Sequence, residues 1–91
     1  TIEEFSNNSE VPVINALSDR EHPCQVIGDL LTIIEETDSE FKDISLTFIG
    51  DGNNVAISLA KAFALLGGTF IHCAPKEFEI PKEELKKNLQ I

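Results

Sequence analysis

The chain has 91 residues, 42% of them hydrophobic, with 7 basic and 16 acidic side chains and a net charge of −9. This is globular rather than disordered material. Its acidity excludes a nucleic-acid face and attachment to an anionic membrane surface, and no apolar run is long enough to span a bilayer. A soluble, cytoplasmic protein is expected, with neither nucleic acid nor membrane among its partners.

Two cysteines, Cys24 and Cys73, fit no zinc spacing and no disulfide framework. They are expected to be reduced thiols, and no metal is expected. Arg20 is the only arginine. Phosphate sites commonly use arginine forks, so any phosphate clamp would lie mostly outside this chain.

In chain order, Thr1-Ile2-Glu3-Glu4 fits a capping box and predicts a short helix ending at Asn7-Asn8-Ser9. Val11 to Leu17 reads as a strand because of its β-branched content, with Pro12 at its start or edge. After a polar loop, Pro23 suits the first position of a helix. Val26, Ile27, Leu30, Leu31, Ile33 and Ile34 give that helix one apolar face. Gly28 within it predicts a close packing contact. Glu35 to Ser39 reads as an acidic linker.

Ile44 to Ile49 is the clearest strand, followed by the turn Gly50-Asp51-Gly52-Asn53-Asn54. A helix from Val55 to Leu66 presents Val55, Leu59, Ala62, Phe63 and Leu66 on one face, and Gly67-Gly68 stops it. Thr69 to Ala74 is a second strand, in which Cys73 is expected to be buried. Pro81 opens a last helix through Leu89. Residues 44 to 74 thus form a β-α-β unit with parallel strands. The expected fold class is α/β: a parallel Rossmann-like sheet flanked by helices, preceded by an N-terminal helix and strand.

Two helix starts carry the polar groups of interest. At His22-Pro23-Cys24-Gln25 an imidazole and an amide meet the free backbone N–H groups of a helix N-terminus. The Gly50 to Asn54 turn begins like a dinucleotide fingerprint, but Val55 stands where the third glycine belongs, and no acidic residue ends the next strand. A small nucleotide-binding module is therefore the weaker alternative. A non-catalytic unit that self-associates through the helix following Pro23 is another. As plain structure, Gly50, Gly52 and Asn53 make a β–α turn with an N-cap.

Several stretches resemble the aspartate/ornithine transcarbamylase family on its ornithine branch. They are EVPVINALSD, HPCQ, DLLTI, FIGDGNN with a following Ser-Leu, and APK, in continuous register over residues 10 to 80. The resemblance implies an internal piece spanning the junction of two α/β domains. Residues 1–21 would end a carbamoyl phosphate-binding domain, 22–40 would be an interdomain helix and linker, and 41–91 would begin an ornithine-binding domain. It also implies transfer of a carbamoyl group from carbamoyl phosphate to ornithine, giving citrulline and phosphate, with no cofactor, in a homo-oligomer that is a trimer in the family.

His22 would be catalytic. His22, Pro23, Cys24 and Gln25 would form the carbamoyl phosphate site, and Asn54 would bind ornithine. The family's Ser-Thr-Arg-Thr-Arg phosphate loop is absent from this sequence, so the piece alone is expected to be inactive. His72-Cys73-Ala74-Pro75 imitates the family's His-Cys-Leu-Pro motif, but follows the wrong strand, and Cys73 is not expected to be a catalytic thiol.

Overall fold

The computed structural model describes residues 1–84. Helix α1 spans Ile2–Asn7, and its Thr1 cap accepts a hydrogen bond from the Glu4 N–H, 3.1 Å away. Helix α2 spans Pro23–Thr37, with Pro23 in its first turn as expected. It runs through Glu35, Glu36 and Thr37, which the sequence assigned to a linker. It stops at Asp38, whose left-handed backbone (φ 50°) returns its N–H to Ile34. A short aspartate adopts that conformation more readily than most residues.

Strand β1 (Ser45–Ile49), helix α3 (Asn54–Leu66) and strand β2 (Thr69–Cys73) follow. Asn53 caps α3 through its side chain, which accepts from the Ala56 N–H at 3.1 Å. Gly67 ends the helix with φ 81°, a conformation that a glycine adopts without a Cβ penalty. The two strands pair in parallel, Ser45 opposite Thr69 through Ile49 opposite Cys73. The helix expected after Pro81 begins at Lys82, and its remainder lies outside the described residues.

Strand alternation sorts the sheet into two faces. Leu46, Phe48 and Phe70 point toward α3 and pack on its buried residues. Phe63 is fully buried between them, edge-on to Phe41 with ring centroids 5.7 Å apart. From α2, Val26 is buried against Leu59 and Phe63, with Leu30 and Ile33 beside them. A second cluster joins Ala56, Ile57 and Ala60 to Ile80.

Three further expectations need correction. Val11 to Leu17 forms no strand, and the described sheet contains only β1 and β2. The segment has no ladder partner among the described residues, and Ile14 is 80% exposed. Cys73 is exposed rather than buried, because it shares the outer sheet face with Thr69 and Ile71 while Phe70 and His72 turn inward. Gly28 makes no close packing contact; a Cβ there would meet nothing within 4 Å. Only half the α2 stripe is covered, since Ile27, Leu31 and Ile34 remain exposed.

Candidate active site

The N-termini of α2 and α3 are joined by hydrogen bonds across 36 positions of sequence. Helix α3 is apolar except for Asn54, Ser58 and Lys61. Spacings of four and three residues place these on one side of a helix. All three reach the segment that leads into α2. Asn54 Nδ2 donates to Ser18 O at 2.9 Å. The His22 backbone N–H donates to Ser58 Oγ at 2.9 Å. Lys61 Nζ lies 2.8 Å from Glu21 Oε1. Ser58 is itself buried, the only buried polar residue among the described ones.

His22 is the N-cap of α2, yet its side chain does not cap the helix. Its Nδ1 is buried and has no hydrogen-bond partner. A proton there would be an orphaned donor, a rarer and costlier state than an unpaired acceptor. The neutral ring therefore favours its proton on Nε2.

Pro23 occupies the first turn, and Cys24 follows it with an exposed thiol. The weak sulfur contact is from Cys24 Sγ to Asn15 O at 3.8 Å. Cys24 is thus a helical residue. Gln25 is exposed, and its Nε2 donates to Asp29 Oδ1 one turn on, at 2.9 Å. Asn54 Oδ1 accepts from the Val55 N–H at 2.9 Å. With Nδ2 already donating to Ser18, one amide hydrogen and one acceptor position remain for a ligand.

The glycine turn is shaped by backbone contact. Gly52 N–H donates to Phe78 O at 2.6 Å, and a Cβ on Gly52 would lie 2.5 Å from Ile80 N. The turn is thus closed by the segment after β2. His72 Nε2 lies 2.7 Å from Gly50 O, which can only accept, so it carries the proton there. His72 is committed to the turn's structure.

Two further cations are committed too. Arg20 Nη2 sits 2.9 Å and 3.1 Å from the two oxygens of Glu84, and Lys42 pairs with Glu40 at 3.1 Å. Among the described residues, no group of three His, Cys, Asp or Glu side chains could hold a metal ion. No described helix is long and apolar enough to cross a membrane. An open cavity of 620 Å³ lies beside the α1 end, lined by residues 1–3, 15 and 17–21. It includes none of the five residues singled out in the sequence.

Two family models match in tandem. The carbamoyl-P binding domain of aspartate/ornithine carbamoyltransferase matches residues 1–35, and the Asp/Orn binding domain matches residues 42–91. The chain belongs to the aspartate/ornithine carbamoyltransferase family. Among curated members, the ornithine carbamoyltransferase of Archaeoglobus fulgidus is 52% identical over 87 residues, covering 96% of this chain and 28% of that protein. The one from Prochlorococcus marinus is 51% identical over 90 residues, covering 99% and 29%.

Solved structures agree. The ornithine carbamoyltransferase of Gloeobacter violaceus superposes with a TM-score of 0.90 at 39% identity, covering 98% of this chain and 31% of that one. The mitochondrial enzyme of Coccidioides immitis gives a TM-score of 0.91 at 34% identity, covering 98% and 30%. The chain thus spans less than a third of the length of these relatives.

Ser58, Lys61, Glu21 and Ser18 were not singled out from sequence. The available signal was the Asn-x3-Ser-x2-Lys spacing in an otherwise apolar helix, which marks a polar stripe but not what it touches.

Proposed function

We propose that this chain carries part of the active site of an ornithine carbamoyltransferase, which moves the carbamoyl group of carbamoyl phosphate to ornithine and yields citrulline and phosphate. Residues 1–21 belong to the carbamoyl phosphate domain, 22–40 cross between domains, and 41–91 open the ornithine domain. The tandem family matches support two domains within the chain, although the first match runs on through most of α2, to residue 35, before the second begins at 42. The observation that carries the chemistry is His22, an imidazole at a helix N-terminus with no side-chain cap bond and an unpartnered buried Nδ1.

In this scheme the Nε2–H of His22 donates to the carbonyl oxygen of carbamoyl phosphate. The δ-amine of ornithine attacks the carbamoyl carbon, forming the C–N bond while that oxygen gains charge. A donor aimed at the oxygen is worth most when the charge has developed. Collapse breaks the C–O bond to phosphate, and the proton shed by the attacking nitrogen leaves on that phosphate. Gln25 holds the carbamoyl amide with its side-chain oxygen. Pro23 and Cys24 shape the first turn of α2 against the ligand. Asn54 offers its remaining amide hydrogen to the ornithine carboxylate. The phosphate clamp comes from outside residues 1–91, consistent with a single arginine already paired to Glu84.

The test uses the full-length protein containing this chain. His22→Ala should lower kcat by about 10²- to 10³-fold, the usual loss for one oxyanion donor. The fold should survive, since the side chain supplies no cap bond. A variant that folds and turns over at the parent rate overturns the assignment.

A further inference from the structure

We infer that Ser58 is a positioning residue for His22, acting through the His22 backbone; the inference rests on the catalytic assignment of His22 made above. His22 is the last residue before α2, so its backbone sets where the imidazole stands relative to the helix N-terminus. As the N-cap it lies outside the regular helix, at φ −135° and ψ 68°. Its ring is not fixed by a side-chain cap bond.

The hydrogen bond from its N–H to Ser58 Oγ, 2.9 Å long, ties that backbone to the neighbouring helix. Ser58 is 7% exposed and sits among the core residues of α3, so the acceptor is held by the best-packed part of the molecule. A hydrogen bond in such surroundings is electrostatically stronger than one in water.

The bond does not act alone. Asn54 holds Ser18 O one turn before Ser58 on α3, and Lys61 holds Glu21 about one turn after it. Ser58 is the middle tie of three, and the one that ends on the candidate catalytic residue. A hydroxyl is the right group here. It accepts from an amide without adding charge, and has a single χ1 to be fixed. Alanine at 58 leaves the His22 N–H without its acceptor and frees the imidazole to shift. Displacements of about 1 Å at a catalytic group cost on the order of 100-fold in rate.

The experiment is a double-mutant cycle in the full-length protein, reading kcat and the KM for each substrate, with melting temperature as a check on folding. Ser58→Ala should lower kcat about 10- to 100-fold and leave the KM for ornithine near its parent value. Ser58→Thr, which keeps the hydroxyl, should restore most of the rate. In a His22→Ala background, Ser58→Ala should cause no further loss of kcat, because there is no imidazole left to position.

An equal loss in both backgrounds overturns the positioning role while leaving the His22 assignment intact. Full activity in a folded Ser58→Ala variant overturns it as well. If His22→Ala is itself fully active, the catalytic assignment fails and the inference fails with it. Should Ser58→Ala not fold, the Ser58→Thr and Ser58→Cys pair carries the test. Thr should retain activity, whereas Cys, a poor acceptor, should lose it. Equal rates for Thr and Cys overturn the inference.

Discussion

Residues 41–80 and residues 1–17 use similar apolar side chains and bury them very differently. In the first region Phe63 is completely buried, and Phe41, Phe48 and Phe70 surround it. In the second, Phe5, Val11, Ile14 and Leu17 are all exposed. Hydrophobicity does not separate the two; closure does. A β-α-β unit brings two strands and a helix together within about 30 residues and pairs its own backbone. An irregular segment such as Val11 to Leu17 pairs nothing by itself and needs a neighbouring strand. Between the regions lies the junction at Ser18 to His22, fixed by side chains of α3 rather than by burial of its own.

The sharpest way to break this contrast is at Phe63. Phe63→Ala should destabilise the protein by about 3–5 kcal/mol, as for a large aromatic removed from a packed core, read as a fall in the urea midpoint. A loss below about 1 kcal/mol would show that the β-α-β core is looser than its packing indicates.

Gly52→Ala should cost less, about 1–3 kcal/mol, because a Cβ lying 2.5 Å from Ile80 N pushes the 78–80 segment off the turn. Chemical denaturation measures it, and a neutral effect would mean that this segment yields freely.

Ile14→Ser, in the exposed region, should shift stability by no more than about 0.5 kcal/mol in the isolated chain. A larger drop would reveal that Ile14 is covered in solution and that the two regions differ less than their exposure suggests.

The sheet repeats the same lesson on a smaller scale. Ile49 is 82% exposed on the outer face, while its neighbour Phe48 packs on α3. Sequence composition marks both as strand residues. Only the covering of one face distinguishes them. Cys73, expected to be buried, is exposed for the same reason: alternation along β2 places its thiol on the uncovered face.

Local chemistry made the helix boundaries readable. The Thr1 and Asn53 caps, Pro23 in a first turn and Gly67 at a helix end act within four residues of themselves, so the sequence alone determined where α1, α2 and α3 start and where α3 stops, but not the end of α2. The parallel pairing of β1 and β2 was equally legible, because a helix between two strands demands a crossover. The sequence also singled out His22 and Asn54 by motif.

Their surroundings were decided only in the tertiary structure. The bond from the His22 N–H to Ser58, the Asn54 bond to Ser18 and the Glu21–Lys61 pair join positions 36 to 40 residues apart. No propensity or spacing rule reaches that far. Which apolar residues are covered, and which polar side chain holds the catalytic candidate in place, depend on what the folded chain puts beside them.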